Sequence, residues 1–436
     1  MTEAPFTEQR LDSWKSIARH FGRSCRTVQR WHADYGLPIH RLGGDTGSVF
    51  AFADELDGWM RNRGRALTDQ TAEIGKPVLL SAALLLAEPA NRAGSVDFSL
   101  IPNAARARSG ELVVLADKMW ESLSNGNLTT IARTLREAID VDPGNAAAFS
   151  GLAMALIACG ILGTLRPPVA YSAAGGALQR ALEIDSAAQH TLLPAALLKM
   201  LTARDWEGAR RGFDETLKHQ PTCARAMVCL AMLRTAEARL DEAGRLLLGV
   251  VNQRTLSSDA TTLYCWTEYL AGRCANALFQ IGQYRASGRS GPLADAVEAL
   301  AILQSAGPGA CIQRMQALGA DCDDSDVLRG ALGYAYAAAG QLESAGNILD
   351  AFTRAEPSEK MHEPYAVALV LIGLNRKQEA VKQLEQSYSE GSLWSLGFRS
   401  DPILQTLRKD AHCQLFWSKV SYPVAESPGA RLGFAG

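Results

Sequence analysis

The chain has 436 residues, of which 47% are hydrophobic and 21% charged, and its formal net charge is −2. This composition indicates a globular chain that is long enough for several structural units. The nine cysteines are scattered, so we expect reduced thiols in a cytosolic protein rather than a disulfide framework. The first residues lack the basic and apolar regions of a secretory signal peptide, and none is expected.

Residues 11–59 predict two short helices, a β-hairpin and a third helix. Ser13 is a helix-capping residue, and the apolar side chains that follow it, such as Ile17, recur at helical spacing. Ser24 is a second capping residue, after which a helix extends to about Tyr35. Two short helices this close together are typical of a helix-turn-helix.

The second helix has an apolar back and a polar front. The polar residues on and just before it are Arg23, Ser24, Arg26, Thr27, Gln29 and Arg30. Arginine and glutamine can read guanine and adenine by paired hydrogen bonds, and the start of a helix suits a phosphate. This front therefore predicts contacts to double-stranded DNA.

A Gly-rich turn follows this helix. The sequence IHR, the turn GGDTGS and the sequence VFAF predict a hairpin that carries His40 and Arg41. Asp54 then begins a last helix with Leu56 and Trp59, which closes a core of roughly fifty residues.

The segment from Leu11 to about Met60 resembles the MerR and excisionase-like winged helix-turn-helix family. The resemblance is carried by IARHFGRSCRTVQRW, GLPIHR and FADELDGW. It implies that Arg26, Thr27, Gln29 and Arg30 lie in the major groove and that Ser24, His40 and Arg41 contact the backbone or form the wing. The long dimerising helix and effector domain of full MerR regulators are not apparent here. Residues 1–65 carry ten Lys and Arg against eight Asp and Glu, so the positive charge expected of a DNA-binding domain is weak. The alternative is that this domain docks on a protein.

Residues 67–108 are interpreted as a linker. Its apolar run, Val78 to Ala87, is about ten residues long, whereas a helix that crosses a bilayer needs about twenty. We expect a short helix packed on the next domain and no membrane partner; a surface-bound or re-entrant segment is the alternative.

Residues 109–420 are rich in Ala and Leu and repeat with a period of about 34 residues. The positions in phase are Ala174, Ala209, Ala243, Ala277, Cys311, Ala345 and Ala380. Five residues earlier lie Ala238, Gly272, Ala306 and Gly340, and four residues later lie Phe213, Leu247, Ile281, Met315, Leu349 and Leu384. This period and the fragments ARLDEAGRLLLGVV and RKQEAVKQLEQSY resemble tetratricopeptide (TPR) repeats.

The predicted fold is therefore mostly α. A winged helix-turn-helix domain, residues 1–66, precedes a TPR-like α-solenoid of about eight helical hairpins. The segment WSLGFRSDPILQTLRKDAHCQLFW is expected to cap the last apolar face, and residues 421–436 to form a flexible tail.

The sequence contains no GxSxG motif, P-loop or zinc-ligand spacing, so we expect neither an enzyme nor a cofactor or metal site.

TPR arrays bind proteins or peptides in a groove lined by their first helices. The predicted groove residues are Val228, Met232, Gly330 and Tyr334, and this apolar surface suits a helix, an apolar peptide or the chain's own linker.

The main hypothesis is a bacterial cytoplasmic, nucleoid-associated transcription regulator that binds DNA as a homodimer and senses a partner through the array. The alternative hypothesis is an adaptor that uses both parts to bind protein.

Overall fold

The computed structural model describes two stretches of the chain. In the first it describes residues 10–21, 37–42 and 48–53, and also Cys25, Val28, Gln29, His32, Glu55 and Leu56. In the second it describes residues 101–420 and Tyr422, except 122–124, 253–256, 319–324 and 355–361. The chain divides into two compact units, Met1–Leu84 and Leu85–Gly436, so the predicted linker contains the boundary between them.

The amino-terminal unit contains a three-stranded antiparallel sheet. Its elements are β1 Arg10–Asp12, α1 Trp14–His20, β2 His40–Leu42 and β3 Ser48–Phe52. The strand order is β1-β3-β2, with Arg10 opposite Phe52 and His40 opposite Phe50. The pairing of β2 with β3 confirms the predicted hairpin, whereas β1 was not predicted.

The core of this unit joins the sheet to its helical part. Its buried side chains are Ile17, Ala18, Val28, Leu37, Ala51 and Leu56. Ser13 caps α1, because its hydroxyl accepts a hydrogen bond from the backbone nitrogen of Ser16 at 3.3 Å, as the sequence predicts. The apolar spacing of residues 14–21 thus places one face of α1 on the core.

The second unit is built from consecutive helices. The first four pairs are α2 Asn103–Glu121 with α3 Asn125–Val141, α4 Ala146–Ile161 with α5 Pro167–Ile184, α6 Leu192–Leu198 with α7 Trp206–His219, and α8 Ala224–Ala236 with α9 Leu240–Asn252. The next four are α10 Ser257–Leu270 with α11 Cys274–Ala286, α12 Pro292–Ala306 with α13 Pro308–Leu318, α14 Asp326–Ala338 with α15 Leu342–Arg354, and α16 Pro364–Gly373 with α17 Lys377–Glu390. A 3-10 turn, Gln189–Thr191, precedes α6 and a π turn, Lys199–Ala203, follows it. The two helices of every pair pack on each other, and the fold of the described part of this unit is a TPR-like array of eight helical hairpins.

The 34-residue period has a clear packing basis. The seven small residues in phase lie on the second helices of pairs two to eight, and each is completely buried. A small side chain at this point lets the two helices of a hairpin approach closely. Five residues earlier, the turn between the helices is left-handed at Arg204, Ala238, Gly272, Gly340 and Asn375. The repeat phase thus marks both the close helix contact and the turn.

Short polar side chains begin several of these helices. Asn145 accepts a hydrogen bond from the backbone of Ala148 at 3.1 Å, and Asp205 accepts one from Gly208 at 2.8 Å. These caps satisfy backbone N–H groups that have no partner within the helix, and so fix where α4 and α7 begin.

The chain after α17 is here called the closing segment and comprises residues 391–420 and Tyr422. It contains the 3-10 turn Leu393–Gly397, α18 Gln405–Arg408, the 3-10 turn Ala411–Cys413 and α19 Gln414–Lys419. The segment packs on α17, as a cap of the last hairpin would, and its first turn also contacts α8, four hairpins earlier.

Candidate functional site

An apolar pocket lies between the first helices of six successive hairpins. Its volume is about 90 Å³. It is lined by Trp120, Met154, Ala158, Ile161, Leu162, Leu197, Arg225, Val228, Cys229, Met232, Leu263 and Leu293. These residues come from α2, α4, α6, α8, α10 and α12 or from the ends of these helices. The first helices thus form a continuous surface, as expected of a helical-hairpin array.

Arg225 is the charged residue among the lining residues, and its charge is already paired. Its Nη2 donates to Asp117 Oδ1 at 3.0 Å, and its guanidinium lies 5.5 Å from the ring centre of Trp120. The guanidinium therefore covers the rim of the pocket and leaves the walls apolar. A site of this kind favours an apolar group, because it offers shape and dispersion contacts but few hydrogen-bond partners.

Two of the four predicted groove residues line the apolar pocket, and the other two lie elsewhere on the first helices. Val228, half-buried, and Met232, buried, both line the pocket. Gly330 is instead buried against α16, where a Cβ atom would stand 2.5 Å from the carbonyl oxygen of Ala366. Gly330 is therefore not among the residues that line this pocket, and it permits the close approach of α14 and α16.

Tyr334 belongs to another part of the first-helix surface. It is half-buried on α14, and its backbone packs on α16, where a Cβ atom at Gly373 would stand 3.0 Å from its Cα. Burial raises the pKa of its hydroxyl, and the nearby charge of Asp401 raises it further. Because Asp401 belongs to the closing segment, Tyr334 lies near that segment, and it is not among the pocket-lining residues.

The closing segment is anchored on two first helices by Asp401. The hydroxyl of Tyr269 on α10 donates to Asp401 Oδ1 at 3.1 Å, and that of Tyr365 on α16 donates to Oδ2 at 2.5 Å. All three residues are buried, and burial raises the pKa of the Asp401 carboxyl. Trp394 adds a stacked contact with Tyr365, with 5.4 Å between the ring centres.

The same segment reaches hairpins two and three. Tyr171 on α5 donates from its hydroxyl to the carbonyl oxygen of Gly391 at 3.1 Å. Arg204, in the turn before α7, donates to Ser395 Oγ at 3.2 Å and to the carbonyl oxygen of Tyr388. The closing segment therefore contacts hairpins two and three as well as first helices of later hairpins, whereas the apolar pocket is lined by residues of the first helices.

Part of the predicted DNA-contacting surface is described. Gln29 is helical and exposed, and Arg41 lies on β2. His40, also on β2, stacks on Phe50 at 5.1 Å between ring centres, and its Nε2 lies 2.6 Å from Glu55 Oε2. The predicted contacts Arg23, Ser24, Arg26, Thr27 and Arg30 lie outside the described residues, as does the apolar run 78–87.

Two other kinds of feature are absent from the described residues. Within these ranges, no three His, Cys, Asp or Glu side chains are grouped as metal ligands. In the same part of the chain, no helix combines the length and apolar character needed to cross a membrane.

The sequence matches no protein-family model and no curated protein. Several solved helical-repeat structures match at low similarity. A tetratricopeptide repeat protein from Parabacteroides merdae is 14% identical, with 62% of this chain and 95% of that one covered and a TM-score of 0.35. Yeast Tom70 is 14% identical, with 93% of this chain and 82% of that one covered and a TM-score of 0.38. The APC/C Cut9–Hcn1 structure is 16% identical, with 71% of this chain and 57% of that one covered and a TM-score of 0.44. All three TM-scores lie below 0.5, so the assignment of the repeats rests on the helix pairing of this chain itself.

Proposed function

We propose that this protein is an adaptor that binds a partner protein or peptide at the apolar pocket. The observation that carries the proposal is the convergence of six first helices on one apolar surface whose rim charge, Arg225, is already paired. Buried anchor side chains in such pockets supply most of the free energy of many protein interfaces.

The size of the pocket defines the ligand more closely. Its volume of about 90 Å³ is smaller than the roughly 150 Å³ of an engineered cavity that holds benzene. It therefore fits one aliphatic side chain, and the remainder of the partner would lie along the neighbouring first helices. We propose a peptide or an exposed helix with one projecting leucine, isoleucine or methionine.

Selection of peptides from a displayed random library against the full chain tests this proposal. The selected sequences should share one aliphatic anchor, and Val228→Asp should weaken their binding by at least tenfold, because a carboxylate would be desolvated in the pocket. Leu248→Asp is the matched control, since Leu248 is 37% exposed on the second helix α9. Equal binding by the wild type and Val228→Asp would refute the proposed site.

We also propose a second function, in which the amino-terminal unit binds double-stranded DNA as a winged helix-turn-helix and the protein is a transcription regulator. The supporting observation is that α1, helical residues including the exposed Gln29, and the β2-β3 hairpin follow in the predicted order. A single small domain of this kind contacts few base pairs, so specific binding would require a homodimer.

A salt titration of duplex binding tests the second function. The wild type should prefer one sequence strongly over competitor DNA. Replacing both Arg26 and Arg30 with Ala should reduce the slope of log affinity against log salt, because it removes two positive charges from the predicted DNA-contacting surface. The exposed Arg376 on the second unit, replaced with Ala, is the control that should leave the slope unchanged. Equal, weak affinity for every duplex would exclude sequence-specific regulation.

A further inference from the structure

A cleft of about 570 Å³ lies between the second and third hairpins. It is bordered by the end of α5, by one face each of α6 and α7, and by the connection between the two hairpins. Its apolar lining includes Leu182, Ala188, Leu192, Ala195 and Ala196. The cleft shares no lining residue with the apolar pocket, and its volume is that of sites that hold small molecules.

The second helix α7 has a glycine in the wall of this cleft where later second helices have larger side chains. Gly212 lies three residues after Ala209, the small residue in phase, and the next four hairpins have Leu246, Gln280, Arg314 and Ile348 at this position. A Cβ atom at Gly212 would stand 2.5 Å from the Cβ of Ala196. The missing side chain thus lets α6 and α7 lie close together and keeps this wall of the cleft open.

Two positive charges line the cleft, and neither has an ion-pair partner in the part of the chain that the structure describes. They are the exposed side chains of Lys199 on the turn after α6 and Arg211 on α7. Glu215, which also lines the cleft, is already paired: its Oε2 accepts from Lys218 Nζ at 2.8 Å, and its Oε1 lies 3.3 Å from His219 Nε2. The cleft therefore combines apolar walls with an uncompensated positive charge.

The backbone at Lys199 is also irregular. The π turn Lys199–Ala203 begins at this residue, and its carbonyl oxygen accepts a hydrogen bond from the backbone nitrogen of Asp205 at 3.1 Å. Within the described ranges, no other helix of the array contains a π turn. Single π turns of this kind are uncommon and frequently occur at functional sites.

The dimensions of the cleft favour a small ligand. Leu192 and Lys199 both line it and are seven residues apart, roughly 10 Å along a helix that rises 1.5 Å per residue. Residues 186–189 of the connection line the cleft as well, before α6 begins. A cleft of this length suits a short aliphatic chain better than a partner helix, whose diameter alone is about 10–12 Å.

We propose that this cleft binds a small amphipathic carboxylate. Its charged group would contact Lys199 and Arg211, and its aliphatic chain would lie against Leu192 and Ala195. Guanidinium groups bind carboxylates through strong, charge-assisted hydrogen bonds, and the apolar walls add dispersion contacts with the chain. The site is separate from the apolar pocket and does not depend on either function proposed above.

Calorimetric titration of the full chain with octanoate, and separately with octanol, tests the site. At constant ionic strength, one equivalent of octanoate should bind, and octanol should bind at least tenfold more weakly because it lacks the charge. Arg211→Gln should weaken octanoate binding at least fivefold. Arg245→Gln is the matched control, because Arg245 is exposed at the same repeat position on α9, 34 residues later, and it should leave the affinity unchanged.

Two further variants separate this cleft from the apolar pocket. Ala195→Leu adds a larger side chain to the wall of the cleft and should weaken octanoate binding at least tenfold, whereas Val228→Asp changes the apolar pocket and should bind octanoate as the wild type does. Octanoate should raise the Tm of the wild type and of Arg245→Gln, which shows that the folded chain is the species that binds.

Three results would overturn the proposal. The first is that octanoate does not bind, and the second is that octanol binds as tightly as octanoate. The third is octanoate binding that a folded Arg211→Gln variant retains in full and Val228→Asp loses, because the ligand would then occupy the apolar pocket.

Discussion

Asp401 provides a sharp test of how the closing segment is held. The carboxylate is 3% exposed and accepts hydrogen bonds from the hydroxyls of Tyr269 and Tyr365 and from the backbone nitrogen of Ile403. Asp401→Ala would leave two buried hydroxyls without an acceptor, at a cost of about 1–3 kcal/mol each. We therefore expect the free energy of unfolding to fall by about 3–5 kcal/mol.

Removing the two tyrosine hydroxyls provides an independent check of the stability loss expected for Asp401→Ala. If the loss comes from unsatisfied hydroxyls, adding Tyr269→Phe and Tyr365→Phe to Asp401→Ala should restore about 2 kcal/mol, because no buried polar group then lacks its partner. If each substitution merely weakened packing, Tyr269→Phe and Tyr365→Phe would instead lower the free energy of unfolding further than Asp401→Ala alone.

Urea unfolding followed by tryptophan fluorescence measures these differences. The signal reports on the right region, because Trp394 stacks on Tyr365 and lies 5.7 Å from Trp266, between ring centres. Glu379→Ala, which breaks an exposed ion pair with Arg376, should change the free energy by less than about 0.5 kcal/mol. The reasoning is refuted if Asp401→Ala loses less than about 1 kcal/mol, or if the triple variant is less stable than Asp401→Ala.

Two further predictions concern one carboxyl group and one glycine. Burial raises the pKa of Glu363 from 4.5 to about 7, so protonated Glu363 contributes stability that is complete below pH 4.5 and is lost as the pH rises through 7. Glu363→Gln should therefore flatten the fall in stability between pH 5 and pH 8 by about 2 kcal/mol, and parallel urea-midpoint curves for the two proteins would contradict this. Gly330→Ala should cost about 2–4 kcal/mol, because its Cβ would overlap the backbone of Ala366, whereas Gly346→Ala, with nothing within 4 Å, should be neutral or stabilise α15 by up to about 1 kcal/mol. Equal Tm values for the two glycine variants would show that α14 and α16 are not in close contact.

The hairpin array could be predicted from the sequence because its period is a packing rule. Ala243 and Ala277 are completely buried on second helices, and Gly272 adopts a left-handed turn, as their spacing indicates. The same phase places Ala277 and Cys311 correctly, because each is completely buried on the second helix of its pair, α11 or α13. Strand β1 was missed, because three residues between polar side chains have no detectable period.

The candidate site was predictable only in part. Val228 and Met232 could be placed on a first helix from repeat phase, but Trp120 and Leu293 join them through contacts between distant hairpins. The extent of the closing segment also could not be predicted. Its anchors on Tyr171 and Tyr269 join residues more than 130 positions apart, and no local pattern encodes such a contact.

Methyl NMR of the full chain tests the proposed pocket most directly. The protein contains nine methionines; Met154 and Met232 line the pocket, and Met315 is buried on the second helix α13. When an aliphatic-anchored peptide binds, we expect the methyl signals of Met154 and Met232 to shift and that of Met315 to stay unchanged. Peptide binding that leaves the signals of Met154 and Met232 unmoved would contradict binding at this pocket.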